Sequence, residues 1–139
     1  MKLLFIDSDV LLDVILIRDL HFNNSAEIMK LAGNEKYMFC TSVHCLLNIH
    51  YATKKRVGEK LARQAVKALT EKLTIVTEDF KIVEQAINSD FTDFEDAVQF
   101  YAAKSIAADI IITRNTKDYK QCTIPVSTPD EFLRTLSIA

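Results

Sequence analysis

The side chains most suited to chemistry are aspartates placed where apolar runs end. Asp7 and Asp9 close the run 1–6, Asp93 and Asp96 stand three apart ahead of an apolar series, and Asp118 follows the run 109–113. Carboxylates brought together repel: two unit charges about 4 Å apart cost about 4 kcal/mol at an effective dielectric of about 20, so such a cluster needs a cation or protons. An oxygen-only set without His or Cys suits Mg²⁺ or Mn²⁺ rather than Zn²⁺. An ion held this way, with open positions, activates water and stabilises charge on a phosphoryl group. His21, His44 and His50 do not share metal-ligand spacing with the cysteines, and the chain has no Gly-rich phosphate loop and no Cys/His nucleophile arrangement. Simpler roles compete for single acids: Ser8 or Asp9 as the cap of a following helix, Asp93 as another cap, and Asp13 and Glu95 as surface or capping residues.

The elements that must position these acids follow from hydrophobic period. Residues 1–6 form a strand-length apolar run, and Val10, Leu11, Val14, Ile15 and Ile17 then suit the buried side of a helix. Asp7 and Asp9 therefore occupy a strand-to-helix turn, the edge at which parallel α/β sheets bind ligands. A second helix opens at Ser25 and stops at Gly33-Asn34, and a strand covers 37–41. A helix from Ser42 to about Lys55 is expected to bury Val43, Leu46, Leu47 and His50, and the next, ending at Lys72, to bury Leu61, Ala65, Ala68 and Leu69.

Further along, 73–77 reads as a strand and a helix follows from Asp79 with Ile82, Val83, Ala86 and Ile87 inward. Thr92 to Glu95 has the form of a capping box, with Phe94, Ala97, Val98, Tyr101, Ala102 and Ile106 at helical spacing behind it. The continuous apolar run 109–113 suits a strand covered on both faces. A short strand at 123–126 precedes a last helix announced by Thr128-Pro-Asp-Glu131. Alternating strands and helices imply a parallel sheet with helices on both faces, one domain over 1–139.

Composition narrows the class. With 49% apolar and 26% charged residues, two Gly and two Pro, the chain is globular and helix-rich, not disordered. A net charge of -2 means that any nucleic-acid surface is local. One candidate is the stripe Arg56, Lys60, Arg63 and Lys67, at i, i+4, i+7 and i+11 on one helix; a solvated face explains the same pattern. Cys40, Cys45 and Cys122 are an odd number without close pairing, which points to reduced thiols and a cytoplasmic setting. The N-terminal run is broken by Asp7, Asp9 and Asp13, so it reads as neither signal peptide nor membrane span.

Over nearly its whole length the sequence resembles the PIN domain family, in particular the VapC-like ribonuclease toxins of toxin–antitoxin pairs. The resemblance rests on Phe5-Ile-Asp-Ser-Asp-Val-Leu-Leu-Asp13, Thr41-Ser-Val-His-Cys-Leu-Leu-Asn48, Asp93-Phe-Glu-Asp-Ala97 and Ile112-Thr-Arg-Asn-Thr-Lys-Asp118, with the ending 124–132 also typical. It implies a PIN-like three-layer α/β/α fold with a parallel sheet of four to five strands. It also implies an endoribonuclease using Mg²⁺ or Mn²⁺, a homodimer, and an antitoxin whose tail enters the acidic groove. Asp7, Asp96 and Asp118 match the catalytic acids; these three with Asp9 and Asp93 are the candidate metal ligands, and Ser8, Asn48, Thr113 and Asn115 are expected to line the site.

Two positions depart from the family. Asn48 stands where the second acid is expected, and Asp9 where the family usually has Asn; an amide brings no negative charge, so cation affinity falls unless Asp9 restores it. Two other functions fit the same residues. One is a PIN-like module that binds RNA or protein without catalysis. The other is a phosphatase of the haloacid dehalogenase type using Asp7 and Asp9, although the chain is short for it and no strand plainly supplies its Lys motif.

Overall fold

The computed structural model describes residues 1–119 and 122–138, excluding the side chains of Asp118, Ser137 and Ile138. Strand β1 (Lys2–Ile6) leads into α1 (Ser8–Ile15) and α2 (Phe22–Lys30), and β2 (Tyr37–Ser42) into α3 (Val43–Val57) and α4 (Glu59–Lys72). Then come β3 (Thr74–Val76), α5 (Phe80–Ile87), α6 (Phe94–Ser105), β4 (Ile110–Ile112), a 3-10 turn (Thr116–Tyr119), β5 (Val126–Ser127) and α7 (Pro129–Ile138). The five strands pair in parallel in the order β3-β2-β1-β4-β5. This is the expected α/β/α arrangement.

The period of two in β1 assigns the layers. Leu4 and Ile6 pack with Val10, Leu11, Ile28, Ile49 and Phe132, on the face covered by α1, α2, α3 and α7. Phe5 points the other way, to Cys40, Ile111 and Phe100 of α6. Helix α5 joins that layer through Ile82 and Ala86, which meet Ala97 and Val98. Leu4, Phe5 and Ile6 are all fully buried, each contributing about 1.5–3 kcal/mol by leaving water, so β1 is a rigid support for the acids at its tip.

The strand order fixes where a ligand site falls. From β1 the chain moves outward to β2 and β3, then returns to the opposite side of β1 for β4 and β5. Progression reverses between β1 and β4, and in doubly wound sheets the crevice at that reversal takes the ligand. Helix starts are set by side-chain caps: Asp7 for α1, Ser42 for α3, Asp79 for α5 and Asp93 for α6. The α6 cap is thus one residue later than the Thr92 box suggests. Gly58, at φ 91, makes the sharp turn between α3 and α4 that a side chain would strain.

Several expected inward faces are rotated. On α3 the buried residues are Cys45, Leu46, Ile49 and Thr53, whereas Val43 and Leu47 are exposed. On α4, Ala62 and Leu69 are buried and Leu61 is exposed. Ile87 and Phe94 are also exposed. The α3–α4 hairpin contains apolar residues on more than one side, so periodicity alone could not select the side that meets the sheet. Helix α2 begins at Phe22, ahead of the expected Ser25, which is itself fully buried.

Candidate acidic site at the β1–β4 boundary

Asp7 is held from its backbone outward. Its N–H donates to the Ile112 carbonyl at 2.9 Å, which ties the end of β1 to the end of β4. Its side chain is 9% exposed; Oδ1 accepts from Ser8 N–H at 2.7 Å, and Oδ2 accepts from the Thr113 hydroxyl at 2.9 Å. The same hydroxyl lies 3.3 Å from Asp9 Oδ2, which also accepts from Arg114 N–H at 3.1 Å. Asn115 N–H donates to Thr113 Oγ1 at 3.2 Å, so one threonine organises both acids and the segment after β4.

Asp9 Oδ1 is buried and has no hydrogen-bond partner among the described residues. Burial first, and then the neighbouring charge of Asp7, push the Asp9 carboxyl up to about 6; the Arg114 N–H and guanidinium, and then the Val10 N–H, pull it back only in part. A carboxylate pair one of whose oxygens is dehydrated and unpaired is a place where a cation would relieve an existing cost. This donor chemistry fits a hard divalent ion. Among the described residues, no group of three or more His, Cys, Asp and Glu is gathered into a metal-ready cluster.

Behind Asp7 lies a buried polar chain. The Tyr119 hydroxyl is 3.3 Å from Asp7 Oδ2 and 3.3 Å from Gln99 Oε1, and the Cys45 thiol faces Gln99 at 3.5 Å. Tyr119 is 3% exposed and Gln99 5%. Burial, followed by the charge of Asp7 and then those of Cys45, Asp96 and Asp9, raises Tyr119 above its ordinary value, so it stays a neutral phenol. Its single proton is best given to the charged acceptor Asp7. Burial, with Asp7 second, likewise pushes the Cys45 thiol up to about 12, which makes it inert packing rather than a nucleophile.

The other expected residues occupy varied positions. Asp96 sits in the first turn of α6, close enough for its charge to act on Tyr119. Asp93 is exposed and caps α6, accepting from Asp96 N–H at 3.1 Å. The backbone of Asp118 belongs to the 3-10 turn Thr116–Tyr119, but its side chain lies outside the described residues. Asn48 is bonded to His44 at 3.4 Å, not to an acid, and His44 lies 3.6 Å from Glu95. Arg56, Lys60, Arg63 and Lys67 are all exposed, but the expected single-helix stripe is broken: Arg56 lies in the last turn of α3, the other three lie on α4 beyond the Gly58 turn, and Arg63 is 3.3 Å from Glu59.

Asp13 corrects the sequence reading. Expected at the surface, it is fully buried, accepting from Arg114 Nε at 2.9 Å and from the Ser25 hydroxyl at 3.1 Å, with Arg18 at 3.7 Å. Arg114 thus serves both acids, its N–H on Asp9 and its guanidinium on Asp13. Sequence reasoning also missed Tyr119, Gln99 and Glu78, whose carboxylate accepts from His44 N–H at 3.1 Å beside the start of α3. The one available signal was Asp13 at one i+4 step from Asp9, which put it near the site's side of α1.

Residues 4–117 match the PIN domain family, and the chain belongs to that family. It is similar to ribonuclease VapC1 of Aquifex aeolicus, 26% identical over 133 residues, covering 92% of this chain and 91% of the relative. Its fold is similar to VapBC2 from Rickettsia felis, solved bound to a DNA fragment from their promoter, at TM-score 0.68, 15% identity and coverage of 91% and 98%. A toxin–antitoxin complex from Klebsiella pneumoniae also resembles it, at TM-score 0.66, 22% identity and coverage of 90% and 96%.

Proposed function

We propose that this chain is the toxin of a toxin–antitoxin pair, an endoribonuclease dependent on Mg²⁺ or Mn²⁺ that hydrolyses RNA phosphodiester bonds. The observation that carries the reading is the Asp7–Thr113–Asp9 constellation at the β1–β4 reversal, in which Asp9 presents a buried oxygen without a partner. Asp7, Asp96 and Asp118 are the proposed catalytic acids and would hold the ion with Asp9 and Asp93. Once bound, a divalent ion supplies an activated water and neutralises charge building on the phosphoryl group. The chain's own residues prepare that chemistry: Ser8 N–H, Thr113 and Tyr119 fix the Asp7 carboxylate, while Asn115 and Arg114 hold Thr113 and Asp9. Arg56, Lys60, Arg63 and Lys67 would track the RNA backbone through screened charge contacts.

An antitoxin is the proposed protein partner, in keeping with the complexes among the similar structures. Exposed Val43, Leu47, Tyr51 and Leu61 on α3 and α4 supply apolar surface for that contact or for a homodimer. All three cysteines are free thiols, which suits work in the cytoplasm, and among the described residues no helix is long and apolar enough to cross a membrane. Asn48, engaged with His44, favours a second reading: a weakened, RNA- or protein-binding PIN module.

Thermal midpoints against Mn²⁺ and Mg²⁺ for the parent and Asp96→Asn, followed by RNA cleavage, test the proposal. A saturable rise that depends on Asp96, worth about 2.7 kcal/mol at about a hundredfold excess over Kd, is expected. No rise at millimolar metal overturns it in favour of the binding module.

A further inference from the structure

Beside the acidic site lies a cavity of about 230 Å³ between α2, α7 and the segment after β4, lined by His21, Asn24, Arg114, Asn115, Thr128 and Asp130 among others. We propose that it is a nucleobase subsite, which takes the base of a nucleotide next to the bond being cut; this deepens the ribonuclease reading and rests on it.

Contiguity is the first argument. Arg114 and Asn115 line the cavity, and their backbone N–H groups bond Asp9 and Thr113. A strand of RNA lying over the acid pair would therefore have a neighbouring nucleotide within reach of the cavity. The frame is also rigid: Ser25 and Arg114, both in its wall, are fastened to the fully buried Asp13.

Charge decides between a base and a phosphate. Arg114 is the cationic side chain of the lining, and its Nε donates to Asp13 at 2.9 Å, so its charge is already balanced by a buried carboxylate. Asp130, also in the lining, is paired with Arg134 at 2.8 Å, so it adds no unbalanced charge to the cavity. The cavity therefore favours a neutral polar ligand over an anion. Asn24 and Asn115 each present an amide donor and acceptor, His21 adds one of either kind, and Thr128 brings a hydroxyl. Such groups match the edge of a base, and the imidazole of His21, the aromatic ring among the lining residues, is of the kind on which splayed, single-stranded RNA bases stack.

The test uses two substitutions outside the acidic site and outside the Asp13 network, Asn24→Ala and His21→Ala. Adenosine, guanosine, cytidine, uridine and ribose 5-phosphate would each be titrated into the metal-free full chain, with amide resonances followed by NMR. One nucleoside should shift Asn24, Asn115 and Thr128 preferentially, and Asn24→Ala should weaken it about tenfold, the loss of one hydrogen bond. Equal binding of all the nucleosides, no binding, or binding of ribose 5-phosphate in their place overturns the subsite. Cleavage of random-sequence RNA separates the two readings. Cleavage whose base preference flattens in the variants supports the subsite, and cleavage with no preference overturns it alone. Base-selective binding without any cleavage supports the subsite and removes the nuclease.

Discussion

Asp9→Asn should stabilise the metal-free protein at neutral pH and leave it unchanged at pH 4. Burial and the Asp7 charge hold the Asp9 carboxyl at about 6 in the folded chain against 3.8 ordinarily. Between those values the folded state carries the extra proton, so stability falls as pH rises through the window and stays at its lower level above about pH 6. A displacement of this size corresponds to about 3 kcal/mol at most, and about 2 kcal/mol once partial solvent access is allowed for. Asparagine removes the charge without stripping the site: its amide oxygen still accepts from Thr113 and Arg114 N–H, and its NH₂ takes the place of the unpartnered Oδ1. Urea unfolding of both proteins in EDTA, from pH 4 to pH 7.5, reads the difference. A gain independent of pH, or a variant less stable than the parent at pH 7.5, would refute the reasoning. Added Mn²⁺ should reverse the order, because the repulsion that asparagine relieves is what the ion exploits. If metal affinity is the same in both proteins, Asp9 does not compensate for Asn48.

Other consequences follow from the same contacts. Tyr119→Phe removes one buried hydrogen bond to Asp7, and should cost about 1 kcal/mol in denaturant unfolding while lowering the metal-induced rise in thermal midpoint. Arg114→Met leaves the Asp13 carboxylate buried with Arg18 at 3.7 Å, and should destabilise by about 3 kcal/mol; Asp13→Asn added to it should restore part of the loss. Replacing Arg56, Lys60 and Arg63 with alanine should reduce the slope of log affinity for single-stranded RNA against log salt by about 2, and an unchanged slope removes these residues from the RNA path.

Much of the fold was legible because β1, β2 and β4 are short apolar runs bounded by polar turns, and because Asp79 and Thr128 announce helices in the usual way. Both kinds of signal are local. The rotated faces of α3 and α4 were not legible, since Val43, Leu47 and Leu61 have the same chemistry as their buried neighbours and differ only in which side tertiary packing selects. Asp13 failed for a related reason. An acid on α1 reads as solvated unless a cation is known to reach it, and the closer of its two cations, Arg114, is far along the chain.

The support of Asp7 shows why a list of acids describes such a site incompletely. Its Oδ2 is held by Thr113 and Tyr119, and Asp9 is held by Thr113 and the Arg114 backbone, all from the segment that closes the sheet. The opening acids therefore owe their orientation to the closing segment, through hydrogen bonds across the β1–β4 boundary. A change at Thr113 or Tyr119 would disturb the acid pair while leaving every carboxylate in place. Asn48, by contrast, takes no part in that support, because its hydrogen bond runs to His44. On the proposed reading, in which Asn48 takes the place of a second acid, cation affinity should be weaker and the geometry of Asp7 and Asp9 spared, an asymmetry that a comparison of Asn48→Glu with Thr113→Val would expose. The first should raise metal affinity with little change in metal-free stability; the second should lower both.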